Sequence, residues 1–126
     1  MDKRVLEWLK QADYDLDTAE YMARGGRYFY AVFMCHLAIE KALKGLYQQK
    51  LQETPPKTHN LVYLLNKTGL RPDTRRSGVI ATLNEANITT RYPDDIERLQ
   101  GKYTQGIASE ILAGTKETLA WIRAQF

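Results

Sequence analysis

One cysteine in 126 residues, Cys35, excludes a disulfide framework, a CxxC redox motif and a zinc site built on paired cysteines. Long hydrophobic runs are missing too. The most apolar stretch, Tyr28 to Ile39, carries His36 and falls well short of the roughly 20 residues a bilayer requires. The opening Met1-Asp2-Lys3-Arg4 leads straight into an amphipathic pattern, with no apolar leader and no small-residue cleavage site, so a soluble, cytoplasmic protein with no membrane partner is expected. Four prolines and eight glycines are too few and too scattered for low complexity, and no internal repeat is visible. There is no glycine-rich phosphate loop, nucleophile elbow or HExxH spacing. Those absences leave no recognisable catalytic constellation, and no cofactor is expected.

What the chain does have is helical periodicity. At 44% hydrophobic it can fill one core, so residues 1–126 are expected to form a single domain. Val5, Leu9, Ala12, Leu16, Ala19 and Ala23 recur at steps of four and three, which predicts a helix over 3–24. Asp13, Asp15, Asp17 and Glu20 lie mostly off that stripe, and Gly25-Gly26 closes it. A longer helix is predicted over 28–50, apolar almost all round as far as Ile39 and therefore central. After Pro55-Pro56, Thr58 is the expected N-cap of a short third helix through Leu61, Leu64 and Leu65, stopped by Gly69. Asp73 should cap a fourth helix reaching about Asn87. Residues 87–101 read as a polar, proline-interrupted connection, and a last helix follows from about Tyr103 to Phe126. No useful stretch alternates with period two. The expected fold class is all-α: an antiparallel bundle of about five helices, two long ones plus shorter ones.

The net charge of +3 is unevenly spread. Residues 41–76 hold eight basic side chains against Glu53 and Asp73, while both ends of the chain are mildly acidic. Such a field suits an anionic partner such as phosphate, nucleic acid or an acidic protein surface; it equally describes a merely solvated surface.

The most informative segment is the second helix. His36, Glu40 and Lys44 recur at steps of four, one polar line on a helix otherwise built to be buried. Glu40 four residues before Lys44 is the favourable order for a local ion pair. In the functional reading Lys41 and Lys44 face a cleft and meet an anion, with Glu40 ordering them. A metal reading would take His36 and Glu40 with a third ligand such as His59, though no known spacing supports it. His59, after Lys57-Thr58, is placed either to bond a neighbouring helix or to meet an anion at the start of the third helix. In Arg91-Tyr92-Pro93-Asp94, Pro93 restricts Tyr92 and helps present Arg91 as a fork for phosphate or carboxylate. Alternatively, Tyr92 packs on the bundle and Arg91 pairs with Asp94. Cys35 reads as a buried, inert thiol, and Trp8 and Trp121 as packing residues. Glu40, Lys41, Lys44, Lys57, His59, Arg91, Tyr92 and Asp94 are thus the candidate ligand contacts.

Taken together, these motifs resemble the HEPN family. The opening Trp8-Leu9-Lys10-Gln11-Ala12-Asp13-Tyr14-Asp15-Leu16 is similar to that family's first helix, and Ala38-Ile39-Glu40-Lys41-Ala42-Leu43-Lys44 resembles its signature stretch. Thr58-His59-Asn60-Leu61 and Arg91-Tyr92-Pro93 follow in the expected order. The resemblance implies a helical bundle that commonly dimerises. Many members are partners or fused halves of small nucleotidyltransferases in toxin–antitoxin-type operons, and others are ribonucleases. The ribonuclease members carry an arginine followed after four to six residues by a histidine. Here His36 and His59 are the only histidines, and neither follows an arginine at that distance. The group that would move a proton near neutral pH is therefore absent where the family keeps it. The resulting expectation is a non-catalytic homodimeric binding module, partnered by a small nucleotidyltransferase subunit or binding nucleotide, RNA or another anion. Two alternatives stand beside it: a ribonuclease toxin with a displaced catalytic set such as His59 with Arg91, and a purely structural oligomerisation subunit.

Overall fold

A computed structural model describes all 126 residues as six α-helices and no strands. They are α1 (Lys3–Arg24), α2 (Tyr28–Leu51), α3 (Leu61–Thr68), α4 (Thr74–Arg91), α5 (Ile96–Lys102) and α6 (Gln105–Arg123). A tight turn at Gly25–Arg27 folds α1 back along α2. Gly26 and, after α3, Gly69 take positive φ values of 77° and 75°, the left-handed backbone that glycine adopts without a Cβ clash. The other four helices pack around this hairpin, with α2 in the middle. Its Ala31, Val32, Cys35, Ala38, Ile39, Ala42, Leu43 and Leu46 are all buried, so the near-uniform apolar stretch does mark the central helix. No helix is long and apolar enough to cross a membrane.

Apolar packing divides into two regions. The larger joins Ala12 and Ala19 of α1 to Ile39 and Leu43 of α2, Leu61 and Leu64 of α3, Leu83 of α4 and Ile122 of α6. The smaller lies at the N-terminal end of α2, where Phe29 and Val32 meet Ala86, Leu99, Tyr103 and Ala108. Cys35 sits in the larger region, and burial pushes its thiol up to about 11, so it stays protonated and unreactive.

Several boundaries differ from the sequence reading, each for a local reason. The bundle has six helices because 87–101 is largely helical. α4 continues to Arg91, since Ala86, Asn87 and Thr90 are all buried against the bundle. Asp95 then accepts from the amides of Glu97 and Arg98 and starts α5. Tyr103 does not open the last helix; it is the buried C-cap of α5, and Thr104 caps α6 by accepting from the Ile107 amide at 3.4 Å. The N-cap of α3 is Asn60, which accepts from the Tyr63 amide, while Thr58 accepts from the Asn60 amide one step earlier. Asp15 is buried and on the inner stripe, between Ala12 and Ala19.

The linker that carries His59 is fastened to α4 by a side chain. Asn84 Oδ1 accepts from the Leu61 amide at 2.8 Å, and Asn84 Nδ2 reaches Asn60 Oδ1 at 3.4 Å. A part-buried amide left without an acceptor costs about 1–3 kcal/mol. Asn84→Ala should therefore lower stability by about that amount in urea unfolding and speed hydrogen exchange at the Leu61 amide, whereas Asn84→Asp, which keeps the acceptor, should do neither to the same degree.

Candidate functional site

The polar line on α2 is an interlocked group. Lys44 Nζ donates to Glu40 Oε2 at 2.9 Å, and His59 Nδ1 donates to Glu40 Oε1, also at 2.9 Å. The Glu40 and Lys44 side chains are almost wholly buried, while the His59 ring is 47% exposed. His36, fully buried, sits within the same group. Its Nε2 is 2.9 Å from the His59 carbonyl, an acceptor only, so Nε2 carries the hydrogen. Nδ1 then holds a lone pair, has no hydrogen-bond partner and lies 3.8 Å from Glu40 Oε1. The charge of Glu40 and the bond to His59 favour protonation, but burial outweighs them and holds His36 down at about 4; the charges of His59 and Arg91 add to the depression.

Glu40 orders only one of the two neighbouring lysines. Lys41 turns to the other side of α2 and pairs with buried Asp15 at 2.8 Å. Lys41 and Lys44 are therefore both held by carboxylates within the bundle. Lys57 is exposed on the linker and forms no ion pair.

Arg91 stands differently. It ends α4, its Nε donates to Asn87 Oδ1 one turn back at 3.2 Å, and its guanidinium lies over the Phe33 ring at 5.0 Å. No carboxylate pairs with it, Asp94 included, and its terminal amino groups have no protein acceptor. Beside it opens a groove of about 460 Å³ lined by Phe29, Tyr30, Phe33, Thr90, Pro93 and Ile96. A second hollow of about 320 Å³, sharing Phe29, Tyr30 and Ile96, continues toward Arg27 and Gln100. Tyr30 is half exposed there, with its ring 4.5 Å from that of Phe29. Tyr92 does not pack on the bundle; it is 72% exposed and lines a separate hollow with Asp94 and Asp95. Asp94 is exposed as well.

The structure therefore gathers Glu40, Lys44 and His59 with His36, and leaves Arg91, at the end of α4, outside that hydrogen-bonded group. It sends Lys41 elsewhere and leaves Tyr92 and Asp94 facing solvent. Sequence reasoning missed Phe29, Tyr30, Phe33 and Asn87 as parts of the site. Asn87 had a signal, lying four residues before Arg91 on what proves to be one helix. Tyr30 and Phe33 were hidden by their neighbours, since an apolar run does not reveal which members stay open to solvent, and Phe29 is a core residue at the base of the groove.

The HEPN domain model matches residues 5–125. The chain belongs to the HEPN family. No curated protein matches it in sequence. Among solved structures, this HEPN protein is similar to TT1696 from Thermus thermophilus, at 28% identity and a TM-score of 0.82, covering 99% of this chain and 100% of that one. It is also similar to ST0689, an archaeal HEPN homologue, at 29% identity and a TM-score of 0.77, with 98% of each chain covered.

The state of His36 sets a pH dependence. An unfolded histidine takes a proton near pH 6.5, whereas folded His36 resists it down to about 4. Its contribution to stability is complete above the upper value and is lost as pH falls toward the lower, at roughly 1.4 kcal/mol per pH unit. Urea unfolding should show this decline on acidification, and His36→Gln, which keeps a donor for the His59 carbonyl, should lack that component. An equal decline in the variant would contradict the assignment.

Proposed function

We propose that this HEPN protein is a helical binding module without catalysis of its own, and that its ligand is a nucleotide held at the Arg91 groove. The observation that carries the reading is the state of Arg91. Asn87 fixes its Nε and Phe33 backs its plane, while the terminal amino groups have no protein acceptor. An arginine so oriented is a ready fork for phosphate. The adjoining groove offers the half-exposed Tyr30 ring, with Phe33 beside it, as aromatic surface for a flat base, and its volume falls within the range of small-molecule sites.

A specific feature also favours an assembly. Ile88, Tyr92 and Ile96 stand 65%, 72% and 60% exposed around the end of α4 and the start of α5. Apolar side chains left in water together suit a protein contact. We propose this edge for the family's two implied partners, a second copy of the chain or a small nucleotidyltransferase subunit. Mass measurement of the protein purified from its host distinguishes the two, and Tyr92→Ser with Ile96→Ser should weaken the complex that is found.

Calorimetric titration with AMP tests the ligand. Arg91→Ala should weaken binding about tenfold or more, and Arg91→Lys should restore little of it, because a lysine lacks the planar fork. AMP bound equally well by both variants would overturn the reading.

A further inference from the structure

The outer side of α1 carries a second stripe that the bundle does not use. We propose that it is a contact between two copies of this chain, their α1 helices paired antiparallel about a twofold axis near Tyr14. The inference is independent of the Arg91 groove and involves none of the residues of the α4–α5 edge. Leu6, Lys10, Tyr14, Asp17 and Tyr21 recur at steps of four, four, three and four, so they share one face of the helix. All five are exposed, Tyr14 by 73% and Tyr21 by 68%. The stripe that packs into the bundle, Val5, Leu9, Ala12 and Ala19, is the opposite face. From Leu6 to Tyr21 the outer stripe runs about 22 Å. Two tyrosines and a leucine at helical spacing on a solvent face are the pattern of a helix awaiting a partner.

Reversal of the stripe identifies the occupant. Laid antiparallel on itself with Tyr14 at the axis, it sets Lys10 opposite the second copy's Asp17, Asp17 opposite the second copy's Lys10, and Leu6 opposite the second copy's Tyr21. Each contact occurs twice, as a twofold interface between identical surfaces requires. A parallel pairing would set lysine against lysine and aspartate against aspartate, so charge selects the antiparallel one. An unrelated partner gives no reason for the stripe to complement itself on reversal. The paired charges are also available. Asp17 has no ion pair or hydrogen bond within the chain, and exposed Lys10 meets only Glu7, at 3.9 Å. Other charges near the face are already balanced. Asp13, beside the axis, is held by Arg123 at 3.0 Å. Lys3 and Arg24 fall opposite each other at the ends of the pairing, where Glu20 takes up Arg24 at 4.0 Å.

The test is sedimentation equilibrium of the purified full chain and of two charge reversals, Lys10→Asp and Asp17→Lys. The expected result is reversible self-association of the unaltered chain, with a dissociation constant raised about tenfold or more in each variant, because each reversal sets two like-charge pairs across the axis. Mixing the two variants should restore the contact as a heterodimer, since one copy then supplies both acids and the other both bases. Both positions face solvent, so the variants keep the fold, and recovery on mixing shows that they have. The same series in a chain that also carries Tyr92→Ser and Ile96→Ser removes the α4–α5 edge from the comparison. There the α1 contact alone should give a dimer that each reversal dissociates. A monomer in that chain before any reversal, or association that neither reversal weakens, would overturn the proposal. Either result would leave the Arg91 reading intact.

Discussion

A buried carboxylate with three basic neighbours organises one side of this bundle. Glu40 sits on the most apolar helix of the chain, where an unpaired charge would be strongly destabilising. It is tolerable there because Lys44 occupies one oxygen and His59 the other. The consequence reaches beyond the pair. His59 belongs to an irregular linker, and its bond to Glu40, with the bond from His36 to its carbonyl, docks that linker on α2. Asn84 then ties the adjoining residues to α4, so three elements meet around one polar group. Replacing Glu40 would leave Lys44 buried and unpaired, so the group stands or falls together.

This arrangement also decides which basic residues face outward. The middle of the chain is strongly basic, yet the lysines of the signature stretch are spent on carboxylates, Lys41 on Asp15 and Lys44 on Glu40. The guanidinium that is oriented by Asn87 and Phe33 while keeping its terminal donors free lies at the end of α4, outside the basic segment. Segment charge therefore says nothing of which basic side chains are engaged within the bundle. Charge summed along a sequence takes no account of which side chains fold against one another.

The fold was largely legible because helical spacing is a local property. The long helices, the central position of α2 and the glycine stops follow from patterns within a few residues. The Glu40–Lys44 pair was legible for the same reason, since steps of four meet on one face. What was not legible depends on contacts distant in sequence. The second bond of Glu40 goes to His59, and Asp15 is buried because Lys41 reaches it across the hairpin. Pro93 was visible as an interruption of the 87–101 connection, yet the burial of Asn87 and Thr90 that carries α4 as far as Arg91 was not. Family motifs located the relevant segments, while partners and exposure came only from packing.

The central claim is that ligand binding belongs to the groove beside Arg91, lined by Tyr30 and Phe33. The most direct measurement is chemical-shift mapping of the labelled protein as ATP is added, following backbone amides, arginine Nε–H groups and histidine rings. The account predicts saturable shifts at Tyr30, Phe33 and Arg91, with little change at Lys41 or in a hollow between α4 and α6 lined by Val79, Thr82, Ile111 and Gly114. Shifts centred on that other groove, around Val79 and Gly114, or none that saturate, would contradict it.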